Sequence, residues 1–430
     1  LSEKVLAGAS HSYILVDSCQ DAMKAIAQHY RAALGIKVVG ITGSVGKTST
    51  KEMIASVLSQ KYNVLKTAGN FNNEIGLPLT IFNIREEHEV AVLEMGINHF
   101  GEMHRLTKMA QPDVCVITNI GLCHLENLND RDGILKAKTE MFDYMQPDAK
   151  IILNGDDDKL ITVKNVKGQT PKFFGLSTEH DAYATDIHSM SLKGIGCTLH
   201  LGDNSFETLI PIPGEHMVYN ALAGALVGQE LGLTTDEIKA GIEALTPVSG
   251  RNNMISTDSL LIIDDCYNAS PDSQAAALAV LAGLNAERTV AVIGDMLELG
   301  EVSRDAHYGV GTKAAENKID AVFTYGERAV ETAKGAKDGG VELVRSFSDK
   351  QELSKELSAF IREGDAVLFK ASNDVFTTLG NNTGSQKHGV FMHIRAYVGR
   401  HANDNICNNI GANKIVRLRF IHLAKEIGHL

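Results

Sequence analysis

Short apolar runs alternate with segments of helical periodicity along most of the chain. KVVGIT (37–42) is a continuous apolar run of strand length, followed by a glycine turn and a helical pattern to about Gln60. VAVLE (90–94), VCVIT (114–118) and IIL (151–153) repeat the strand signal. Runs with no polar alternation are those of strands covered on both faces, so the order predicts βαβ units and a mainly parallel sheet. Between about 181 and 212 the pattern shortens and turns β-like, ending in IPIPG, where two prolines hold off the helix that starts near His216. A small antiparallel insertion fits this stretch. After Arg251 a second series begins, with strands at LLIIDD (260–265), TVAVIG (289–294), AVFTY (321–325) and AVLFK (366–370) and helices over 273–284 and 350–362. It predicts a separate parallel sheet of about four or more strands. From about Ser372 the chain becomes basic and poorly periodic and belongs to neither pattern.

With 430 residues, the length calls for two or three domains. No apolar stretch approaches the length of a membrane span. The formal net charge of -12 argues against a general nucleic-acid binder working by phosphate neutralisation. Six cysteines without a C-x-x-C pair indicate neither a disulfide framework nor a zinc cluster, and reduced thiols in a cytoplasm are expected. The chain begins with Leu1, lacks a secretory signal pattern, and reads as a piece whose natural start lies upstream.

The strongest chemical signal is Gly43-Ser44-Val45-Gly46-Lys47-Thr48, set between a buried strand and a helix. Backbone N–H groups of such a loop and the helix N-terminus cradle phosphate oxygens, with Lys47 at the terminal phosphates and Thr48 on Mg²⁺. The spacing departs from the usual phosphate loop, because Ile41 stands five residues before Gly46. Nucleotide binding follows, whereas the acceptor stays open, since kinases, GTPases, motors and ligases share this loop.

Other polar groups sit where an open parallel sheet places ligands, at strand ends. Glu94 ends VAVLE and fits Mg²⁺ or its water, although alone it reads as a solvated strand-end acid. His124, after VCVIT, fits a ligand and a structural role about equally. Lys138 lies on a helix beside Glu140 and reads as a solvated charge. Asn70, Asn72 and Asn73 form an amide cluster suited to a turn or to a polar substrate. His216 and Asn220 share a helix face, as a base or substrate contact or as a plain polar surface. Asp264-Asp265-Cys266-Tyr267-Asn268 follows a strand and looks like a ligand loop. Asp295, in GDMLELG, fits a helix cap at least as well as a ligand contact.

Taken in order, TGSVGKT, NFNNEIG-x-P, LEMG, ITNIG-x-x-HLE, AKTE, PGEHMVYNAL, DDCYNASP and GDMLELG resemble the Mur ligase family of ATP-dependent amide-bond ligases, from about Val16 to Ser372. The resemblance implies an α/β fold with a central P-loop ATPase domain over 37–250 and a C-terminal Rossmann-like domain over 251–372. Residues 1–36 would be a remnant of an N-terminal UDP-substrate domain, with 373–430 unassigned. It implies ATP and Mg²⁺ as cofactors, phosphate contacts from Gly43 to Thr48, metal service by Glu94 and His124, and a carbamylated Lys138. His216, Asn220, Arg251, Asp265 and Asn268 are expected around the nucleotide, and Asn70, Asn72 and Asn73 near substrate. Three segments, NFNNEIG, DDCYNASP and GDMLELG, look most like the member joining D-alanyl-D-alanine to UDP-N-acetylmuramoyl-tripeptide through an acyl phosphate. A monomer is expected.

Three departures bear on this. The N-terminal domain is short, RNNMI (251–255) lacks the acid that more often follows the arginine, and the pattern stops after Ser372. Folylpolyglutamate synthase is the alternative within the same architecture. A nucleotide-binding but catalytically silent protein is the alternative outside it.

Overall fold

In the computed structural model, residues 1–5, 12–248, 250–257 and 259–372 are described; the unassigned segment 373–430 lies outside them. The first sheet contains β1 (Lys37–Thr42), β2 (Val64–Lys66), β3 (Val90–Glu94), β4 (Val114–Ile117), β5 (Lys150–Asn154), β6 (Lys172–Gly175), β7 (Ala182–Ser189), β8 (Ile195–Leu201) and β9 (Asn204–Ile210). Their spatial order is β2-β3-β1-β4-β5-β6-β7-β8-β9. Pairing is parallel from β2 through β7 and antiparallel for β7-β8-β9. The stretch expected to be a small antiparallel insertion is thus the far edge of this sheet.

The second sheet contains β10 (Asn253–Ser256), β11 (Leu261–Asp264), β12 (Arg288–Gly294), β13 (Ala321–Tyr325), β14 (Leu343–Phe347) and β15 (Asp365–Lys370). It runs β10-β11-β15-β12-β13-β14, parallel except for β10 against β11. Both β10 and β14, which no apolar run announced, are edge strands with mixed exposure. An edge needs no apolar face on both sides, so its sequence carries no continuous signal.

Each sheet is covered on both faces. Met53, Ile54, Val57 and Leu58 of the helix Lys47–Leu58 pack with the nearly all-apolar helix His216–Glu230 on one face of the first sheet. Leu77 and Ile81 of the helix Gly76–Ile81 and Met103 and Leu106 of the helix Glu102–Ala110 cover the other. In the second sheet, Leu278 and Leu281 of the helix Pro271–Ala282 lie opposite Leu353 and Leu357 of the helix Lys350–Phe360.

The helix Cys19–Ala33, capped by Ser18, is fastened to the first sheet by a buried arginine. Arg31 donates to the carbonyls of Ala110 (2.8 Å) and Gln111 (2.9 Å) and to Asp113 Oδ2 (3.3 Å). That same carboxylate oxygen accepts from the N–H of Val38 at 2.9 Å, so the helix is tied to the start of β1. Among the described residues no helix is long and apolar enough to cross a membrane.

Candidate active site

The carboxyl ends of both sheets open on one cleft of about 1150 Å³. Open α/β sheets bind ligands at this end, where the strand order switches direction, here between β1 and its neighbours β3 and β4.

Beyond β1, Gly43 has φ 151°, and a Cβ there would lie 1.9 Å from Thr118 Oγ1, so no other residue fits. Gly46, at φ 84°, turns the chain into the helix Lys47–Leu58. The loop is braced from β4: Ser44 N–H donates to Asn119 O (3.0 Å), Val45 N–H to Asn119 Oδ1 (2.9 Å), and Asn119 Nδ2 and Thr118 Oγ1 both donate to Val45 O (3.0 and 2.7 Å). The N–H groups opening the helix have no partner a turn earlier, which makes the loop an anion cradle. Lys47 Nζ folds onto the carbonyls of Gly43 (2.8 Å) and Ser44 (3.2 Å). Part of Lys47 meets solvent, yet its ammonium lies deep in the cleft, and desolvation lowers its pKa; Cys123 and Glu94 pull the other way.

Lys138 is not the solvated charge its sequence context suggests. It projects from the inward face of the helix Arg131–Thr139, is 1% exposed, and donates to Gly43 O at 3.1 Å from beneath the loop. Burial, assisted by Lys47, pushes its pKa down to about 8 against the pull of Cys123. Glu94 is likewise no solvated acid, being 1% exposed at the end of β3. Its Oε1 accepts from Asn72 Nδ2 at 2.8 Å. Its Oε2 has no hydrogen-bond partner among the described residues and lies 3.8 Å from Lys51 Nζ. A buried carboxylate oxygen left open towards the cleft suits a cation.

His124 stands at φ 54° before the one-turn helix Leu125–Leu128, and its Nδ1 lies 2.5 Å from Glu298 Oε2 of the second sheet's unit. The close approach of His124 holds the Glu298 carboxyl below its usual range, although Nδ1 is too poorly aligned to count as hydrogen-bonded. Both residues line the cleft with Thr48.

The asparagines divide. Asn72 reaches Glu94, Asn73 Oδ1 accepts from the N–H groups of Ile75 (3.1 Å) and Gly76 (2.8 Å) as turn chemistry, and Asn70 is exposed and off the cleft wall. On the facing side, Asn220 Oδ1 accepts from Thr50 Oγ1 at 2.7 Å, joining two helices, while the side chain still borders the cleft. His216 is exposed as a residue but borders the cleft; desolvation there lowers its pKa, Asp265 opposing. Arg251 lies with its guanidinium 3.9 Å from the centroid of Tyr267. Asp265 Oδ2 accepts from Lys370 Nζ (2.7 Å), which also donates to Asn268 O (3.0 Å), so one buried lysine shapes this loop. Where RNNMI lacks an acid, Asn252 Nδ2 instead donates to Pro213 O at 2.7 Å. Asp295 caps a helix, but a later one: its Oδ1 accepts from the N–H groups of Arg328 (3.0 Å) and Ala329 (2.7 Å).

Lys51, Lys370 and Glu298 escaped the sequence reading. Lys51 and Lys370 look like surface charges until the helix and strand carrying them are buried, whereas the signal for Glu298 is its place inside GDMLELG. Among the described residues no three His, Cys, Asp or Glu side chains converge as a complete metal cage. Thr48, Glu94 and His124 line one cleft beside an anion cradle, the partial set that suits Mg²⁺ shared with phosphate oxygens and water.

Comparison with known proteins bears on the family and the fold. The sequence matches the Mur ligase middle domain over residues 41–228 and the Mur ligase glutamate ligase domain over 250–373. It is 40% identical over 366 residues to the UDP-N-acetylmuramoyl-tripeptide--D-alanyl-D-alanine ligase of Bacillus subtilis (strain 168), covering 84% of this chain and 79% of that protein. The Escherichia coli (strain K12) ligase of the same name is 36% identical over 359 residues, covering 82% and 77%. Among solved structures, MurF ligase from Thermotoga maritima in complex with ADP superposes with a TM-score of 0.81 at 29% identity, covering 93% of this chain and 88% of that one. MurF from Acinetobacter baumannii gives 0.79 at 33% identity, covering 86% and 81%. Folylpolyglutamate synthase from Mycobacterium tuberculosis, at 15% identity and a TM-score of 0.65, shares the fold. With its phosphate loop, its two α/β units and relatives this similar over most of their length, the chain belongs to the Mur ligase family.

Proposed function

We propose that the protein joins D-alanyl-D-alanine to UDP-N-acetylmuramoyl-tripeptide at the expense of ATP, in the synthesis of peptidoglycan precursors. The observation that carries this reading is the convergence of the phosphate loop, Glu94 and His124 with Arg251 and Asp265 on one cleft, in a chain 40% identical to a ligase of that name. A carboxylate is a poor electrophile, so the tripeptide carboxylate first takes the γ-phosphoryl group of ATP, releasing ADP. The dipeptide amine then attacks the resulting acyl phosphate, inorganic phosphate leaves, and a proton is released as the amide forms.

The loop N–H groups and Lys47 hold the phosphoryl group and offset the charge that develops during transfer. Mg²⁺, when bound, reduces the repulsion between the phosphates and the incoming carboxylate. Thr48, Glu94 and His124 would hold it, with Asn72 keeping Glu94 oriented. Lys138, with its pKa lowered to about 8, holds a usable fraction of neutral amine near neutral pH, which is the form that adds CO₂ to give a carbamate. That anion, in place of an ammonium, would turn the pocket beneath the loop towards cations. His216, Asn220, Arg251, Asp265 and Asn268 form the nucleotide side and Asn72 and Asn73 border the substrate side, whereas Asn70, off the cleft wall, takes no part. A cytoplasmic monomer completes the reading.

A coupled phosphate-release assay with ATP, Mg²⁺ and the tripeptide nucleotide tests it. Release is expected with D-alanyl-D-alanine, and not with L-alanyl-L-alanine or glutamate; Lys47→Ala lowers kcat about 100-fold or more. Dipeptide-independent release, or glutamate-dependent release with a folate acceptor, would replace this function with another.

A further inference from the structure

GDMLELG, a motif the reaction scheme above leaves unused, delivers a side chain from the second sheet's unit onto the first. Glu298 Oε2 lies 2.5 Å from His124 Nδ1. Both residues hold left-handed backbones, φ 62° at Glu298 and 54° at His124, where glycine or asparagine would be easier. Two strained positions meeting in one contact call for a reason in their side chains. The neighbours support the same approach. Gly300, at φ 57°, packs against Glu126, such that a Cβ would lie 3.2 Å from its Cγ, and Asp272, from the same unit, meets the backbone at Gly121. The strip 121–126 is therefore where the second unit seats on the first.

We infer that Glu298 is a positioning residue for His124, fixing its ring only when the two units are apposed. An imidazole with a carboxylate this close to Nδ1 is held in orientation with Nε2 turned away from that carboxylate, and outer carboxylates of this kind orient a ligating histidine. The second unit thereby completes the cation-holding side of the cleft by seating on it. The inference rests on the ligase reading, in which His124 serves the metal.

The test uses the full chain with Glu298→Ala and Glu298→Gln. Glu298→Ala is expected to raise the half-saturating Mg²⁺ concentration 10- to 100-fold and to leave the KM for D-alanyl-D-alanine within about twofold. Paramagnetic titration of Mn²⁺ with a non-hydrolysable ATP analogue, a readout independent of turnover, shows the same weakening. Glu298→Gln, which keeps an acceptor oxygen without the charge, falls between. In a His124→Ala background the Glu298 substitution adds no further loss. Wild-type metal dependence in Glu298→Ala, or full additivity with His124→Ala, overturns the proposal. If the wild type releases no phosphate with any acceptor, the ligase reading fails instead, while the Mn²⁺ titration still reports on the Glu298–His124 contact. Thermal unfolding of each variant separates loss of fold from loss of positioning.

Discussion

Replacing Lys138 by methionine should make the protein more stable while silencing it. Lys138 is 1% exposed and its pKa falls from 10.5 to about 8, mainly through desolvation. A depression of that size corresponds to about 3 kcal/mol of folding free energy below pH 8, where the ammonium is buried without a carboxylate partner. Methionine fills a similar volume and removes this penalty. It also gives up the bond to Gly43 O, about 1 kcal/mol, but that oxygen keeps its bond from Lys47 Nζ and is not orphaned. The net gain is about 2 kcal/mol, or about 5 °C in the midpoint of the first thermal transition.

The pH dependence carries the sign. Between pH 8 and 10.5 the unfolded wild type binds more protons at this lysine than the folded protein does, so this group's contribution to stability increases with pH. The methionine variant lacks that increment, and the gap between the two proteins should close across the same interval. Scanning calorimetry from pH 7 to 10 in CO₂-free buffer without nucleotide reads the gap, and phosphate release in bicarbonate reads the loss of turnover, about 100-fold or more. A methionine variant less stable than wild type at pH 7, or a gap that stays constant to pH 10, would refute the buried ammonium as the dominant effect.

Two further outcomes follow from packing. Gly43→Ala drives a Cβ to within 1.9 Å of Thr118 Oγ1 at a backbone angle that disfavours any side chain, so the loop must move; calorimetric titration with an ATP analogue should show affinity reduced about tenfold or more. Arg31→Ala removes donors from two carbonyls and leaves Asp113 without its buried cation, which should cost about 3 kcal/mol in urea unfolding. Arg31→Lys recovers only part of this, because one ammonium cannot span the fork.

Local order was legible in the residues themselves. The apolar runs at 37–42, 90–94, 289–294 and 366–370 are fully or nearly fully buried strands, because a strand covered on both faces admits no polar alternation. The phosphate loop was equally plain, since a tight glycine turn between strand and helix has few other uses. Short-range signals of this kind need no partner from elsewhere in the chain. What remained hidden depended on partners far away. Lys138 and Glu94 become buried groups only when their helix and strand are enclosed, and Asp295 caps a helix more than thirty residues later. The meeting of His124 with Glu298 joins loops from two sheets. Periodicity reports which face of an element is apolar, whereas burial of a charge and the pairing of distant loops are properties of the assembled layers. The strand ends were determined by the sequence alone; which of them share a cleft, and which charges there lack a partner, was decided only when the two sheets came together.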